Sequence, residues 1–415
     1  MTDAAPSATK SFSWRLPIVI TLCGCLISVL TFGPRSSLGF FLTPLSQANG
    51  WGRDVFAMSL ALQNLIWGLG QPFAGAIADK YGAPRVLSTG IILYALGLYL
   101  TSVATTPMMS HLSAGVLIGL GLSGSAVPMV IGALGKILPE SWRYVSFGAV
   151  TAAGSFGQFL FSPIAVHLMG AYGWQETLVI FSTVLLLAMP LAMVLIAPRK
   201  QTDALSAAAP PPQSLAKALS EAFNHRSYVL LVLGFFTCGF QLAFVTAHLP
   251  AYLADRGLSA EVGGWTLAII GLFNIIGSLG AGWLATFLPK RYILSFIYFT
   301  RALSIIAFIS VPATAATTLI FGAVTGLLWL STVPPTSGLV AVMFGTRWLT
   351  MLFGFAFFSH QVGGFLGVWL GGLVFERTGS YDTVWWLSVL FGVLSALINL
   401  PIVEKAVERP IPAAA

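Results

Sequence analysis

Twelve apolar runs, each long enough to cross a lipid bilayer, follow one another along this chain. They fall near residues 16–45, 54–78, 87–105, 110–135, 143–168, 175–197, 227–253, 262–287, 292–311, 314–343, 348–375 and 382–403. A helix needs about 20 apolar residues to span the hydrocarbon layer. In lipid every backbone N–H and C=O must find its partner within the protein, which for an isolated run means an α-helix. Charged residues make up 8% of the chain and hydrophobic residues 57%, against roughly 25% charged in a soluble domain. The pattern predicts an all-α polytopic membrane protein with twelve transmembrane helices. Runs beyond about 25 residues imply tilt, curvature or ends that project past the lipid.

Twelve spans put both termini on one side. Fifteen of the twenty Lys and Arg fall on the side that holds the termini, three (Arg53, Arg256, Arg377) on the other, and two (Arg35, Arg301) inside runs. Positive residues stay cytoplasmic, so both termini are expected in the cytoplasm. The net charge of +7 is thus an orientation signal, and its scatter argues against a nucleic-acid partner. The partner of the bulk of the chain is the bilayer, and the expected setting is a monomer in the cytoplasmic (inner) membrane of a bacterium. The first run is too long for a secretory h-region, so no cleaved leader is expected. Cys23, Cys25 and Cys238 lie in apolar runs and read as small packing residues.

The longest loop, 198–226, contains the Ala/Pro-rich stretch Ala204–Pro212, a linker composition. Ser214–His225 follows with an amphipathic pattern, a short helix on the cytoplasmic face. The loop divides the chain into an N-terminal bundle, 1–197, and a C-terminal bundle, 227–415. Sliding the sequence by 206 residues aligns the two. Gly33 and Pro44 meet Gly239 and Pro250; Ser125 and Pro128 meet Ser331 and Pro334; Phe147-Gly148 and Gly157 meet Phe353-Gly354 and Gly363. Such a repeat implies two pseudo-symmetric six-helix bundles with a site between them near the membrane midplane.

After the second run comes Gly75-Ala-Ile-Ala-Asp79-Lys-Tyr-Gly82-Ala-Pro-Arg85. This resembles the G-x-x-x-D-x-x-G-x-x-R loop of the major facilitator superfamily, and with twelve spans and the repeat the resemblance covers the whole chain. It implies alternating access, with Gly75, Asp79, Gly82 and Arg85 gating the cytoplasmic side. Within that superfamily, Gly33-Pro34-Arg35-Ser36 followed by Gly39-Phe40-Phe41 is similar to the first helix of monocarboxylate transporters and of carriers in the oxalate–formate exchanger group. The resemblance puts Arg35 where that family has a lysine that contacts the substrate carboxylate. In the eighth span, where the family carries an Asp and an Arg, this chain has Asn274 and Ser278.

An arginine at bilayer depth costs about 2.5–3.5 kcal/mol on insertion scales and must face protein, water or a ligand. Arg35 is the leading anchor for an anion, because a guanidinium fork fits a carboxylate; the alternative is an arginine bonded to helix carbonyls near Pro34. Arg301 is a second candidate, on a helix that is peripheral in this fold, with a structural role as its alternative. His360 sits midway along span eleven and can donate a hydrogen bond or carry a proton. Gln241 (the repeat mate of Arg35), Asn274, Gln63 and Asn64 complete the candidate set, each with interhelical hydrogen bonding as the alternative. The Ser/Pro clusters at 125–128 and 331–335 predict bends in spans four and ten.

Enzymatic chemistry finds no support. The sequence has no His/Cys metal spacing, no phosphate-binding loop and no acidic pair within a run; all 13 acidic residues lie in loops or at span ends. No cofactor is expected. The reading is a secondary transporter of a small organic anion, a monocarboxylate first, coupled to protons or to exchange of a second anion. A carrier of a neutral or amphipathic solute with both arginines structural, and a non-transporting sensor with a carrier fold, remain as alternatives.

Overall fold

A computed structural model describes residues 16–196, 215–345 and 349–407. Among these residues there are twelve long helices and no strand. They are α1 (Pro17–Asn49), α2 (Arg53–Tyr81), α3 (Ala83–Ser102), α4 (Pro107–Ile137), α5 (Glu140–Tyr172) and α6 (Trp174–Val194). The second set is α7 (Arg226–Asp255), α8 (Ala260–Leu284), α9 (Lys290–Ile309), α10 (Ala315–Phe344), α11 (Leu349–Thr378) and α12 (Asp382–Asn399). The twelve apolar runs therefore correspond to the helices one for one. Eleven are long and apolar enough to cross a membrane. The other, α2, has 29 residues, and Gln63, Asn64 and Gln71 dilute its apolar character. Large side chains such as Phe296, Ile320 and Leu397 stay exposed on peripheral helices, as a lipid-facing surface requires.

The two sets pack alike. Helix α1 lies on α5 and α7 on α11; α2 lies on α4 and α8 on α10; α3 lies on α6 and α9 on α12. Glycine makes the closest of these approaches possible. A Cβ on Gly157 of α5 would come within 2.7 Å of the Val29 carbonyl oxygen, and its repeat mate Gly363 of α11 lies in the same way against Phe236 of α7. The bundles meet along two seams related by the same repeat, α2 against α11 and α5 against α8.

The predicted bends are present. Helix α4 breaks at Ala126, one residue before the turn that carries Pro128. Helix α10 stops at Leu328 and restarts at Val333, with Pro334 and Pro335 in its new first turn. Helix α1 loosens after Ser36 into a tighter turn, Leu38–Phe41. The linker up to residue 214 lies outside the described residues. The amphipathic stretch that follows is a helix, Leu215–Phe223, which buries Ala222 and sets Phe223 edge-on to Tyr228 and Phe355.

Among the described residues, contacts between the bundles run from the face away from the termini to about mid-length of the helices, where Trp67 meets Phe357 and Asn274 reaches Ser155. On the face away from the termini, Gly39 of α1 abuts the backbone at Thr246 and Ala247 of α7, and Gly372 of α11 abuts Ala57 and Asp54 of α2. Toward the other face, Gly75, Gly132, Gly148, Gly280 and Gly354 have open space where a side chain would project. The described contacts between the bundles thus gather toward the far face, which leaves the face that bears the termini the more splayed of the two.

Candidate functional site

The site is built on the loosened end of α1. Pro34 lies in the last turn of its first segment, where the helix gives way to the tighter turn. The hydroxyls of Ser36 and Ser37 both donate to the Gly33 carbonyl, at 2.7 and 3.2 Å. With that carbonyl capped by its own neighbours, Arg35 reaches across to α2. Its Nη2 donates to Asn64 Oδ1 at 2.6 Å, and the guanidinium lies 4.7 Å from the Trp67 ring centre and 5.9 Å from that of Phe32. Its Nε is buried and has no partner, and no described carboxylate forms an ion pair with it. A small pocket at this point is lined from both bundles, by Arg35, Gln63 and Asn64 on one side and Ala243, Thr246 and Val368 on the other.

Helix α11 completes the layer from the opposite bundle. Gln361 is 1% exposed and packs on Gly68 of α2, and its Nε2 is buried without an acceptor. Its Oε1 lies 3.1 Å from His360 Nδ1. Trp67 meets Phe357 edge-on across the seam, with ring centres 5.4 Å apart, and Phe357 stacks on His360 at 5.8 Å. An unbroken run of contacts thus joins Arg35 through Trp67 and Phe357 to His360. A buried donor that lacks an acceptor costs free energy, and Arg35 Nε and Gln361 Nε2 both lack one.

The remaining sequence candidates are engaged elsewhere. Arg301 is 3% exposed and turns into the C-terminal bundle. Its Nε donates to the Leu328 carbonyl at 3.1 Å, its Nη2 donates to the carbonyls of Leu328 and Trp329, and its Nη1 to Gln241 Oε1. These carbonyls are the ones that the break in α10 releases. Gln241 in turn donates to the Ser388 carbonyl at 2.9 Å. Gln63 donates to the Ala114 carbonyl at 2.9 Å, inside the N-terminal bundle. Asn274 is a strut between bundles: its Nδ2 donates to Ser155 Oγ at 2.8 Å, and its Oδ1 accepts from Leu330 N and Ser278 Oγ. Arg35, Gln63 and Asn64 line the interfacial pocket, Asn274 ties the bundles together, His360 packs on Phe235 of its own bundle, and Arg301 and Gln241 hold the frame of the C-terminal bundle.

Two features have no forerunner among the sequence candidates. One is the pair of rings Trp67 and Phe357. The signal was present, since Trp67 lies one turn beyond Asn64 and Phe357 one turn before Gln361, but spacing within a helix does not reveal which rings meet across a seam. The other is a polar latch on the far face. Arg53 at the start of α2 grips Asp255 at the end of α7 with both terminal nitrogens, at 2.6 and 2.7 Å. Its backbone N–H donates to Glu376 of α11 at 2.6 Å, its Nη1 to the Tyr381 hydroxyl at 3.2 Å, and it covers the Phe375 ring at 4.2 Å. Burial pushes the Tyr381 phenol up to about 12, while Arg53 beside it pulls the other way. One residue of the N-terminal bundle therefore receives four groups of the C-terminal one.

The Gly75–Arg85 motif lies at the face that bears the termini, and it is less a loop than a joint: Gly75–Tyr81 end α2, Ala83–Arg85 begin α3, and only Gly82 lies between them. Gly82 takes a φ of +95° between α2 and α3, a conformation that favours glycine. Arg85 Nη1 donates to the Tyr81 carbonyl at 3.3 Å. The side chain of Asp79 lies outside what the structure describes.

Comparison with known proteins agrees with this architecture. A family model described as Major Facilitator Superfamily matches residues 24–368. An uncharacterized MFS-type transporter of Bacillus subtilis, YcxA, is 28% identical over 89% of this chain and 91% of its own length. Monocarboxylate transporter 13 of Rattus norvegicus is 25% identical over 92% of this chain and 88% of its own. Among solved structures, a bacterial homolog of the human lysosomal transporter Spinster, inward-facing and occupied, superposes with a TM-score of 0.74 at 14% identity, over 94% of this chain and 97% of that one. At that identity the likeness speaks for the fold alone. Twelve helices in two like-packed bundles, a seam between them and a family match over most of its length make this chain a member of the Major Facilitator Superfamily, a transporter and not an enzyme.

Proposed function

We propose that the chain is a secondary active transporter that moves a small organic anion, a monocarboxylate, by alternating access between the bundles 1–197 and 227–415. The observation that carries this reading is Arg35: a guanidinium at the bundle interface, paired with the neutral Asn64, with a buried Nε free for an acceptor. Unlike Arg301, which backbone carbonyls satisfy, Arg35 keeps a donor unused and lacks a counter-charge, which favours a bound group that brings a negative acceptor. The unpartnered Gln361 Nε2 supplies a second donor from the other bundle. The name of the rat relative, a monocarboxylate transporter, supports the same substrate class. The charge asymmetry of the loops makes the splayed face cytoplasmic, with the loop of Gly75, Asp79, Gly82 and Arg85 as its gate. Symport with a proton and exchange of one anion for another both fit this geometry.

The test is uptake and counterflow of a panel of labelled carboxylates in proteoliposomes, with wild type and Arg35→Gln compared at matched protein incorporation. A hydrogen bond to a charged group contributes about 1.5–3 kcal/mol, so the variant is expected to lose on the order of 10- to 100-fold in apparent affinity. Equal transport by the variant removes Arg35 as the anchor. A wild type that neither binds nor moves any carboxylate refutes the anion reading.

A further inference from the structure

A cavity of about 470 Å³ opens at the face that bears the termini, between the turn that joins α8 to α9 and the segment that follows α12. Lys290, Arg291 and Lys405 line it, with Glu404 as its one carboxylate. Thr286, on the same wall, stands as far after Gly282 as Asp79 stands after Gly75, so the acidic residue of the first bundle has no counterpart here. The walls are fixed. The Val403 N–H donates to Ser227 Oγ of α7 at 3.0 Å, the Ile402 carbonyl accepts from Arg291 Nη1 at 3.1 Å, and the Val407 N–H donates to the Met343 carbonyl of α10 at 2.9 Å. Glu404 accepts from the Arg291 N–H at 2.8 Å and stays 4.0 Å from Lys290 Nζ. Lys405 is exposed and has no carboxylate partner among the described residues. Three cations thus face one anion. The cavity also lies at a lipid boundary. Trp283, Phe287 and Tyr292 are exposed around it, as in the aromatic belt of a membrane interface. From there an exposed apolar stripe, Trp283, Leu279 and Ile276, runs back along α8 on the side opposite Asn274, which faces α5. A second stripe, Phe296, Phe299 and Leu303, runs along α9.

We propose that this cavity binds the headgroup of an anionic phospholipid, its phosphate reached by Lys290 and Lys405 and its acyl chains laid along the exposed faces of α8 and α9. Each Lys or Arg near the membrane surface adds about fivefold to the affinity for an anionic lipid. A zwitterionic headgroup brings a cation of its own into a cavity that already holds an excess of positive charge, and loses that gain. The bound lipid joins the start of α9 to the segment that is pinned to α7 and α10, and so braces the base of the C-terminal bundle.

The experiment is native mass spectrometry of the full chain in detergent with equal amounts of phosphatidylglycerol and phosphatidylcholine, reading the ratio of the two in the protein that carries one lipid. Wild type is expected to favour phosphatidylglycerol by at least about tenfold. Lys290→Gln and Lys405→Gln are each expected to lower that ratio about fivefold, and the double variant to bring it near one. Lys80→Gln, which removes an exposed charge from the same face outside the cavity, is expected to leave it unchanged. The ratio is read within each variant, so an unfolded fraction does not mimic the result. Added inorganic phosphate is expected to leave the lipid in place. If phosphate displaces phosphatidylglycerol at equal concentration, the cavity is a free-anion site and the lipid assignment falls. It falls as well if wild type carries both lipids alike, or if Lys80→Gln lowers the ratio as much as Lys405→Gln.

Discussion

Arg35, half-buried, and Arg301, buried, have opposite surroundings. Both stand out in the sequence for the same reason, a charge inside an apolar run. What separates them is the supply of acceptors nearby. Arg301 faces three acceptors, the Leu328 and Trp329 carbonyls and the Gln241 side chain, and uses its fork on them. Arg35 faces one neutral oxygen and two rings. Arg301→Leu strands those acceptors in a dry interior at about 1–3 kcal/mol for each one left unpaired. Thermal unfolding in detergent is expected to show a clear loss of stability, while carboxylate affinity of the surviving folded protein stays near wild type. Arg301→Lys, which keeps the charge but not the planar fork, is expected to rescue only part of the stability. Lost affinity in a fully stable Arg301→Leu protein overturns this assignment. The sequence shows that both arginines need a reason to be buried. It does not show which reason, because the acceptors of Arg301 lie 27 and 28 residues away on another helix.

The break in α10 illustrates what a helix-level pattern tells and withholds. Ser331 and the prolines at 334 and 335 announce it, since each proline removes a backbone donor; the unwound residues 329–332 then leave the Leu328 and Trp329 carbonyls without their usual helical donors. The pattern does not say how the freed groups are satisfied. Arg301 takes the carbonyls, Asn274 Oδ1 takes the Leu330 N–H at 2.9 Å, and Cys238 Sγ lies 3.2 Å from Thr332 Oγ1. Asn274 also reaches Ser155 in the other bundle, so the unwound turn is tied to the seam between α5 and α8. Asn274→Ala is expected to speed amide exchange around Leu330 by at least about tenfold, the effect of losing one buried backbone bond. Exchange followed by mass spectrometry reads this directly, and an unchanged rate in that peptide refutes the strut. The twelve helices and the repeat were readable because they rest on periodicity within the chain. The struts were not, because each depends on which faces of separate helices the fold brings together.

At the scale of the molecule, the far face is shut by packing and by one latch. Arg53–Asp255 is a bidentate pair with the Arg53 side chain 14% exposed, better placed than an ordinary surface pair, which contributes about 0–1 kcal/mol. Its partners all come from the other bundle, so opening the far face must break every one. Arg53→Gln is expected to shift the population toward the far-open form. The readout is maleimide labelling of Ala57→Cys, a position shielded by Gly372 in the closed arrangement; labelling is expected to quicken several-fold in the Arg53→Gln background. No change in rate means that packing alone holds the face shut.

The unpaired state of Arg35 has an electrical consequence. A carrier that is positive when empty and neutral when filled moves its filled site past the membrane voltage without cost. The empty site feels that voltage, at up to about 2.3 kcal/mol per charge for each 100 mV. Under the function and orientation proposed above, a negative cell interior favours the empty site on the cytoplasmic side, where it meets an internal anion.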